Sequence, residues 1–300
     1  ARDIEITGNS FEDWTNYAIK IGEGDPAYDD VSDVTISQNT FKNPSSYPTI
    51  LDNTGSASVS ENILLVEQGS SIQDAITIAQ PYSSIKISQG TFPETLDINK
   101  PGLSITGHSQ QNTVINSSGF ADYAIDINRD DITLRNFTLI GSQRYGIKPS
   151  GIRGIELYNI TVIDSYWSGI DLNGVNDSSL QDIEVRDTVS GNGLAFTDSN
   201  RMTIKDIKTS GNSWGGIAIY TLGQWYPGGS DDLVFSGLMD LEEPNQFYTE
   251  IDHHNSSKDP FPITDLQPPA HLIYVLRFPN LLPDYAFYND NLSLTLQNAV

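Results

Sequence analysis

Apolar and polar positions along the middle of the chain alternate in short runs of four to eight residues, as in Ile132-Thr-Leu-Arg-Asn-Phe-Thr-Leu139. A period of two is the signature of a strand with one face buried, not of a helix. Gly, Asn, Asp and Ser punctuate the gaps, the residues that turns require. The runs also repeat. Ala124-Ile-Asp-Ile127, Gly146-Ile-Lys-Pro149, Gly169-Ile-Asp-Leu172, Gly193-Leu-Ala-Phe196 and Gly216-Ile-Ala-Ile219 begin 22, 23, 24 and 23 residues apart. A second series, Asn136-Phe137, Asn159-Ile160, Asp182-Ile183 and Asp206-Ile207, keeps step at 23, 23 and 24. Strands recurring at that interval with no helix between them cannot form βαβ units, so each coil must wind round and stack on its predecessor. The Leu-x-x-Leu-x-Leu frame of leucine-rich repeats is absent. The pattern predicts an all-β chain folded as a right-handed parallel β-helix, a solenoid of about 23 residues per coil.

One segment breaks the period. Ser71-Ile-Gln-Asp-Ala-Ile-Thr-Ile-Ala79 carries Ile72, Ala75, Ile76 and Ala79 at helical spacing, with Ser71 as N-cap and Asp74 three residues on. It predicts a short capping helix near 71–79, lying over the first coil of a main β-helix at 61–237. Ile85-Lys-Ile87, Gly90-Thr-Phe-Pro-Glu-Thr-Leu-Asp-Ile98 and Leu103-Ser-Ile-Thr-Gly107 follow it. This succession over residues 71–107 resembles the opening of the pectin-lyase-like β-helix proteins, and the likeness extends over roughly 71–237. That resemblance implies the fold and an extracellular or cell-surface setting. It leaves activity open, because the superfamily spans lyases, hydrolases, esterases, epimerases, phage tailspikes and non-enzymatic surface proteins.

The flanks read differently. Ile4-Glu-Ile-Thr-Gly-Asn-Ser-Phe11 matches Val34-Thr-Ile-Ser-Gln-Asn-Thr-Phe41, with Ala18-Ile-Lys-Ile21 between them as the other strand type. Residues 1–42 thus read as the end of a preceding β-helix and 43–60, rich in Ser, Pro and Asn, as a linker. The absence of an initiating methionine fits a processed protein or part of a larger one with further domains. Residues 238–300 lose the repeat and collect prolines, which predicts a cap or an arm.

Composition narrows the partners. The formal charge is −23, from 39 acids against 16 bases, which disfavours nucleic acid and anionic membrane surfaces. No apolar run is long enough for a membrane-spanning helix. Without cysteine, disulfides, thiol catalysis and Cys-based zinc sites are all excluded.

In each Gly-Ile-x-Ile strand the large apolar residues face inward, so the residue between them faces out. That defines an outward column of Asp126, Lys148, Asp171, Ala195 and Ala218. Asp126 and Asp171 would stand two coils apart, roughly 9.6 Å, with Lys148 between them. Tyr123, Tyr145, Trp167, Trp214 and Tyr220 flank the column, with Trp225 and Tyr226 nearby. Rings beside fixed polar groups suit the faces of sugars, and the leading expectation is polysaccharide binding along this flank. The same rings would equally cover the edges of a core, and the charges would equally form a self-neutralising ladder between coils.

Two enzymatic alternatives use the same residues. Asp126 and Asp171 would suit an inverting glycosidase, and Lys148 or Arg144 would suit proton abstraction next to a uronate carboxyl, as in a lyase. Arg129, Arg135, Arg144, Lys148 and Arg153 concentrate five of the 16 cations in this stretch. A third alternative is a structural segment of an adhesin, S-layer or virion spike. Tyr145-Gly-Ile-Lys-Pro-Ser-Gly151 resembles the Tyr-Gly-Phe-Asp-Pro-His-Asp of mannuronan C5-epimerases, but Lys148 and Ser150 replace the catalytic Asp and His. The polygalacturonase signature is missing, and Arg277-Phe-Pro-Asn matches the pectate lyase Arg-x-Pro-x-x-Arg only in part, Leu282 replacing its second Arg. His253 and His254 follow Asp252 without a metal-ligand frame. Asp25, Asp29, Asp30 and Asp33, with Glu23, offer oxygen ligands for Ca²⁺.

Overall fold

A computed structural model of the chain describes residues 2–12, 14, 16–22, 31–44, 49–120, 122–222 and 230–243. Beyond these it describes the strands Phe247–Ile251, Leu272–Leu276, Tyr285–Asn289 and Leu292–Ala299 as backbone alone, as it does residues 221, 222 and 231. The 23-residue period is one turn of a parallel β-solenoid of about eight turns. Each central turn lays down one long and one short strand. The long strands Thr133–Ser142, Glu156–Ser165, Asn176–Arg186, Asn200–Ser210 and Asp231–Leu241 stack in parallel as one sheet. The short strands Leu96–Ile98, Ile125–Ile127, Ile147–Pro149, Ile170–Asn173, Asn192–Thr197 and Gly215–Leu222 stack as another.

Stacking in register turns the repeat into columns of like residues. Leu96, Ile125, Ile147, Ile170, Leu194 and Ile217 are successive neighbours and all are buried. Across the core, Ile105, Leu134, Leu157, Leu180, Ile204 and Phe235 form an equivalent buried column. Each branched side chain packs on its own kind one turn away, a close fit that short repeated strands provide without a thick core.

Four of the long strands share a bend, at Asn136, Asn159, Asp182 and Asp206, all left-handed with φ of 61°, 54°, 54° and 55°. Asn and Asp tolerate that conformation better than other residues with side chains, which explains the second sequence register. The repeated glycine has another cause. A Cβ on Gly146 would lie 2.4 Å from the Gly169 carbonyl oxygen, and one on Gly193 would lie 2.7 Å from that of Gly216. The turns approach too closely there for any side chain.

Residues 43–60, expected as a linker, carry the strands Ile50–Asp52 and Ala57–Ser60, which pair in parallel with Ile19–Ile21 and Val34–Ser37. The long-strand sheet runs on from Thr40–Lys42 through Ile63–Val66 to Ser84–Ile87. Turns therefore precede the helix Ile72–Ile78 as well as follow it. The buried Asn39 ties these early turns together. Its side-chain oxygen accepts from the Asn9 backbone at 2.9 Å, and its amide donates to the Ile6 carbonyl at 2.7 Å.

The helix does not cover a terminal coil, as the sequence predicts, but sits against the first strand of the short-strand sheet. Gln73 Oε1 accepts from the Asp97 backbone N–H at 2.8 Å, and Gln73 Nε2 reaches the Asp97 carbonyl at 3.4 Å. A primary amide thus pairs with Leu96–Ile98 as a neighbouring strand would. Glu94 accepts from the Ile72 and Gln73 backbone N–H groups at 2.8 and 2.9 Å and secures the helix start, where donors lack partners. Beyond residue 238 both sheets gain one further parallel strand, Phe247–Ile251 and Leu292–Ala299, each followed outward by an antiparallel one. Among the described residues no helix is long and apolar enough to cross a membrane.

Candidate functional site

The register places Asp126 beside Lys148, and Lys148 beside Asp171 through the adjacent pair Ile147 and Ile170. Ala195 and Ala218 follow in the same column. The column also extends one turn the other way, to Asp97, which is the register partner of Asp126. Sequence reasoning missed Asp97 because 29 residues, rather than 23, separate it from Asp126. The signal was present, since Leu96-Asp97-Ile98 repeats the inward–outward–inward pattern of Ile125–Ile127.

The predicted outward column is only partly open. Asp97 is exposed and Asp126 half-buried, but Lys148 and Asp171 retain only 9% and 7% of their accessibility. The Lys148 ammonium donates to Asp171 Oδ2 and lies 4.8 Å from the centre of the Tyr145 ring, which leans over the pair. Farther along, the Tyr220 hydroxyl accepts from Asn192 Nδ2 at 3.1 Å. Its ring thus runs back along the short strand, past the buried Ala195 and Ala218. Strand alternation directs a side chain outward without determining what covers it.

At the open end the aromatic residues form one cluster. Tyr123 and Tyr145 stack with centroids 5.9 Å apart, and Tyr145 meets Trp167 edge-on at 5.0 Å. The Arg144 guanidinium lies 4.6 Å from the Tyr123 ring centre and 4.9 Å from that of Trp167. It also pairs with Asp122 at 3.7 Å. Trp214 stands apart from this cluster, 52% exposed. Its backbone N–H bonds the Gly191 carbonyl, and Gly191 packs on the backbone of Trp167, so two turns separate the indoles. Of the other clustered cations, Arg135 pairs with Glu156 at 2.6 Å and Arg153 with Asp130 at 3.4 Å, while Arg129 donates to the carbonyl and side-chain oxygens of Asn128.

Electrostatics follow from burial. Loss of hydration raises the Asp126 carboxyl above its ordinary range, with Asp97 and Asp122 adding to the rise and Lys148 opposing it. Burial raises Asp171 as well, against the pull of Lys148. The Tyr145 phenol is raised by burial first and by Asp171 second.

The other sequence candidates divide. Asp33 lies in a left-handed turn and accepts from its neighbour Ser32 at 2.9 Å. Asp25, Asp29 and Asp30, like Trp225, Tyr226, His253 and His254, lie outside the described residues. Among the described residues no group of three or more His, Asp or Glu side chains is placed to hold a metal ion. A separate groove of about 500 Å³ opens on the long-strand face, lined by Thr133, Glu156, Ser179 and Thr203 and walled by the Arg201–Asp177 ion pair. A smaller depression beside it contains the exposed Tyr158.

No family model and no curated protein matches the chain. Among solved structures it is similar to a pectin methylesterase in complex with a hexasaccharide, with 14% identity, 60% of this chain and 76% of that one covered, and a TM-score of 0.35. It is also similar to the full-length tailspike protein 2 of Escherichia coli O157:H7 bacteriophage CAB120, with 16% identity over 83% of this chain and a TM-score of 0.35. The match covers 36% of the tailspike.

Proposed function

We propose that the short-strand face of this solenoid binds polysaccharide outside the cell or at its surface. The observation that carries the reading is the ring cluster of Tyr123, Tyr145 and Trp167, set beside the exposed Asp97 and the half-buried Asp126. Rings offer apolar faces to the C–H side of a sugar, and carboxylates accept its hydroxyls. Arg144, held between two rings, keeps them apart and upright without ordering cost at the moment of binding. A solenoid repeats such features at about 4.8 Å per turn, an arrangement suited to an extended chain lying along its axis.

A catalytic reading draws on one specific observation. Asp126 is half-buried with its carboxyl held towards the protonated form, the condition of a general acid in a hydrolase. Lys148 is less suited to act as a lyase base, because its ammonium is engaged with Asp171.

The test is binding to a glycan array combined with assays for reducing ends and for unsaturated products. Trp167→Ala should abolish binding, whereas Tyr158→Ala, on the other face, should leave it unchanged. Binding without products supports a binding module, and new reducing ends lost in Asp126→Asn support a hydrolase. Binding abolished by Tyr158→Ala but retained by Trp167→Ala would move the site to the long-strand groove. Neither binding nor turnover would leave a structural segment of a larger surface assembly.

A further inference from the structure

We infer that the glycan taken by this face is uncharged, an inference that rests on the polysaccharide-binding reading above. Five cations clustered in the sequence point towards an anionic ligand, but each is already engaged within the chain, which weakens that attraction. Lys148 is buried against Asp171 beneath Tyr145. Arg144 lies against the rings of Tyr123 and Trp167 and, though 41% exposed, is paired with Asp122. Arg135 and Arg153 are bound to Glu156 and Asp130, and Arg129 turns back onto Asn128. The column beside the rings instead presents the exposed Asp97 and the half-buried Asp126, on adjacent turns about 4.8 Å apart. A uronate or sulfate docked on the rings would sit next to both carboxylates, and the cation at the rings among the described residues, Arg144, is already paired with Asp122. Like charges brought together in this way select against the wrong partner. A neutral sugar meets no such penalty, and its hydroxyls are natural donors to two acceptor-only groups.

Titration calorimetry with matched polymers tests the inference. Polygalacturonate and its fully methyl-esterified form share a backbone and differ in charge. They would be compared with glucan, mannan, galactan and xylan at about 20 mM and about 0.5 M NaCl, where screening lengths differ several-fold. The expected result is binding to at least one neutral polymer with little salt dependence. At low salt, polygalacturonate should bind roughly tenfold or more weakly than its ester, a gap that narrows at high salt. Asp97→Asn/Asp126→Asn should narrow the gap at low salt too. Tighter binding of polygalacturonate than of its ester, weakened by salt, would overturn the charge preference and leave the binding reading intact. Failure of every polymer in the panel and on a broad glycan array would overturn both.

Discussion

Lys148 and Asp171 illustrate how a residue's neighbours decide its role. Each gives up hydration on burial, and their mutual attraction repays that cost only while both are present. Lys148→Met should therefore destabilise the fold by about 3–5 kcal/mol by stranding a buried carboxylate. Lys148→Met/Asp171→Leu should recover most of the loss, as urea denaturation would measure. A single variant as stable as the parent would mean that the pair is not buried as described. Asp126 presents the opposite case, a group whose charge is itself a cost. Its folded carboxyl sits above the ordinary value of 3.8, so the native state holds the proton more tightly than the unfolded chain does. Stability contributed at low pH is lost as pH rises from 3.8 through the raised folded value, and the deficit persists at neutral pH. Asp126→Asn should be more stable than the parent at pH 7, and the difference should vanish by about pH 3, where both states are protonated. A variant that is less stable at pH 7 would show that the Lys148 attraction outweighs burial.

At the scale of elements, the helix Ile72–Ile78 stands in for a strand. Its Gln73 amide supplies both the acceptor and the donor that the edge strand Leu96–Ile98 lacks on that side. Gln73→Ala should cost about 1 kcal/mol, the worth of an ordinary hydrogen bond near the surface. It should also speed hydrogen exchange at the Asp97 amide, while the amide of Ile147, two turns away and bonded to the Gly169 carbonyl, stays protected. Unchanged exchange at Asp97 would rule out the surrogate-strand role. The helix itself was legible in the sequence, since its apolar spacing and the Ser71 cap are local, and Asp74 N–H does bond Ser71 Oγ at 3.1 Å. Its place was not legible, because that depends on contacts with Asp97 and Glu94, more than 20 residues ahead. The strands were legible because a 23-residue period and a two-residue alternation leave few ways to bury the apolar face. Asp97 stayed hidden behind an irregular spacing, and the roof that Tyr145 and Tyr220 place over the column depends on rotamers, which no periodicity records.

For the whole molecule, the fold supplies a reason for the acidity that composition alone leaves open. Among the described residues, seventeen non-glycine residues adopt the left-handed conformation and ten of them are aspartates. The bends that close each turn favour Asn or Asp, and this chain has mostly used Asp. Stacking then sets like charges over one another, as at Asp164 and Asp187 or Asp182 and Asp206, in columns about 4.8 Å apart per turn. Exposed ion pairs such as Arg201 with Asp177 offset part of this repulsion. Such pairs are worth at most about 1 kcal/mol each and are screened by salt as readily as the repulsion is. With a net charge of −23, repulsion is the larger of the two screened quantities. The melting temperature should therefore rise between about 20 mM and about 1 M NaCl, where the screening length falls to roughly 3 Å, less than the rise of one turn. Each kcal/mol of repulsion relieved should raise it by about 2–4 °C, judged from domains somewhat smaller than this one. Sodium chloride is the right probe, because sulfate would strengthen apolar burial by itself and obscure the electrostatic part. A melting temperature that falls over the same range would mean that the ion pairs outweigh the stacked aspartates, and that the solenoid is held together by its surface charges rather than strained by them.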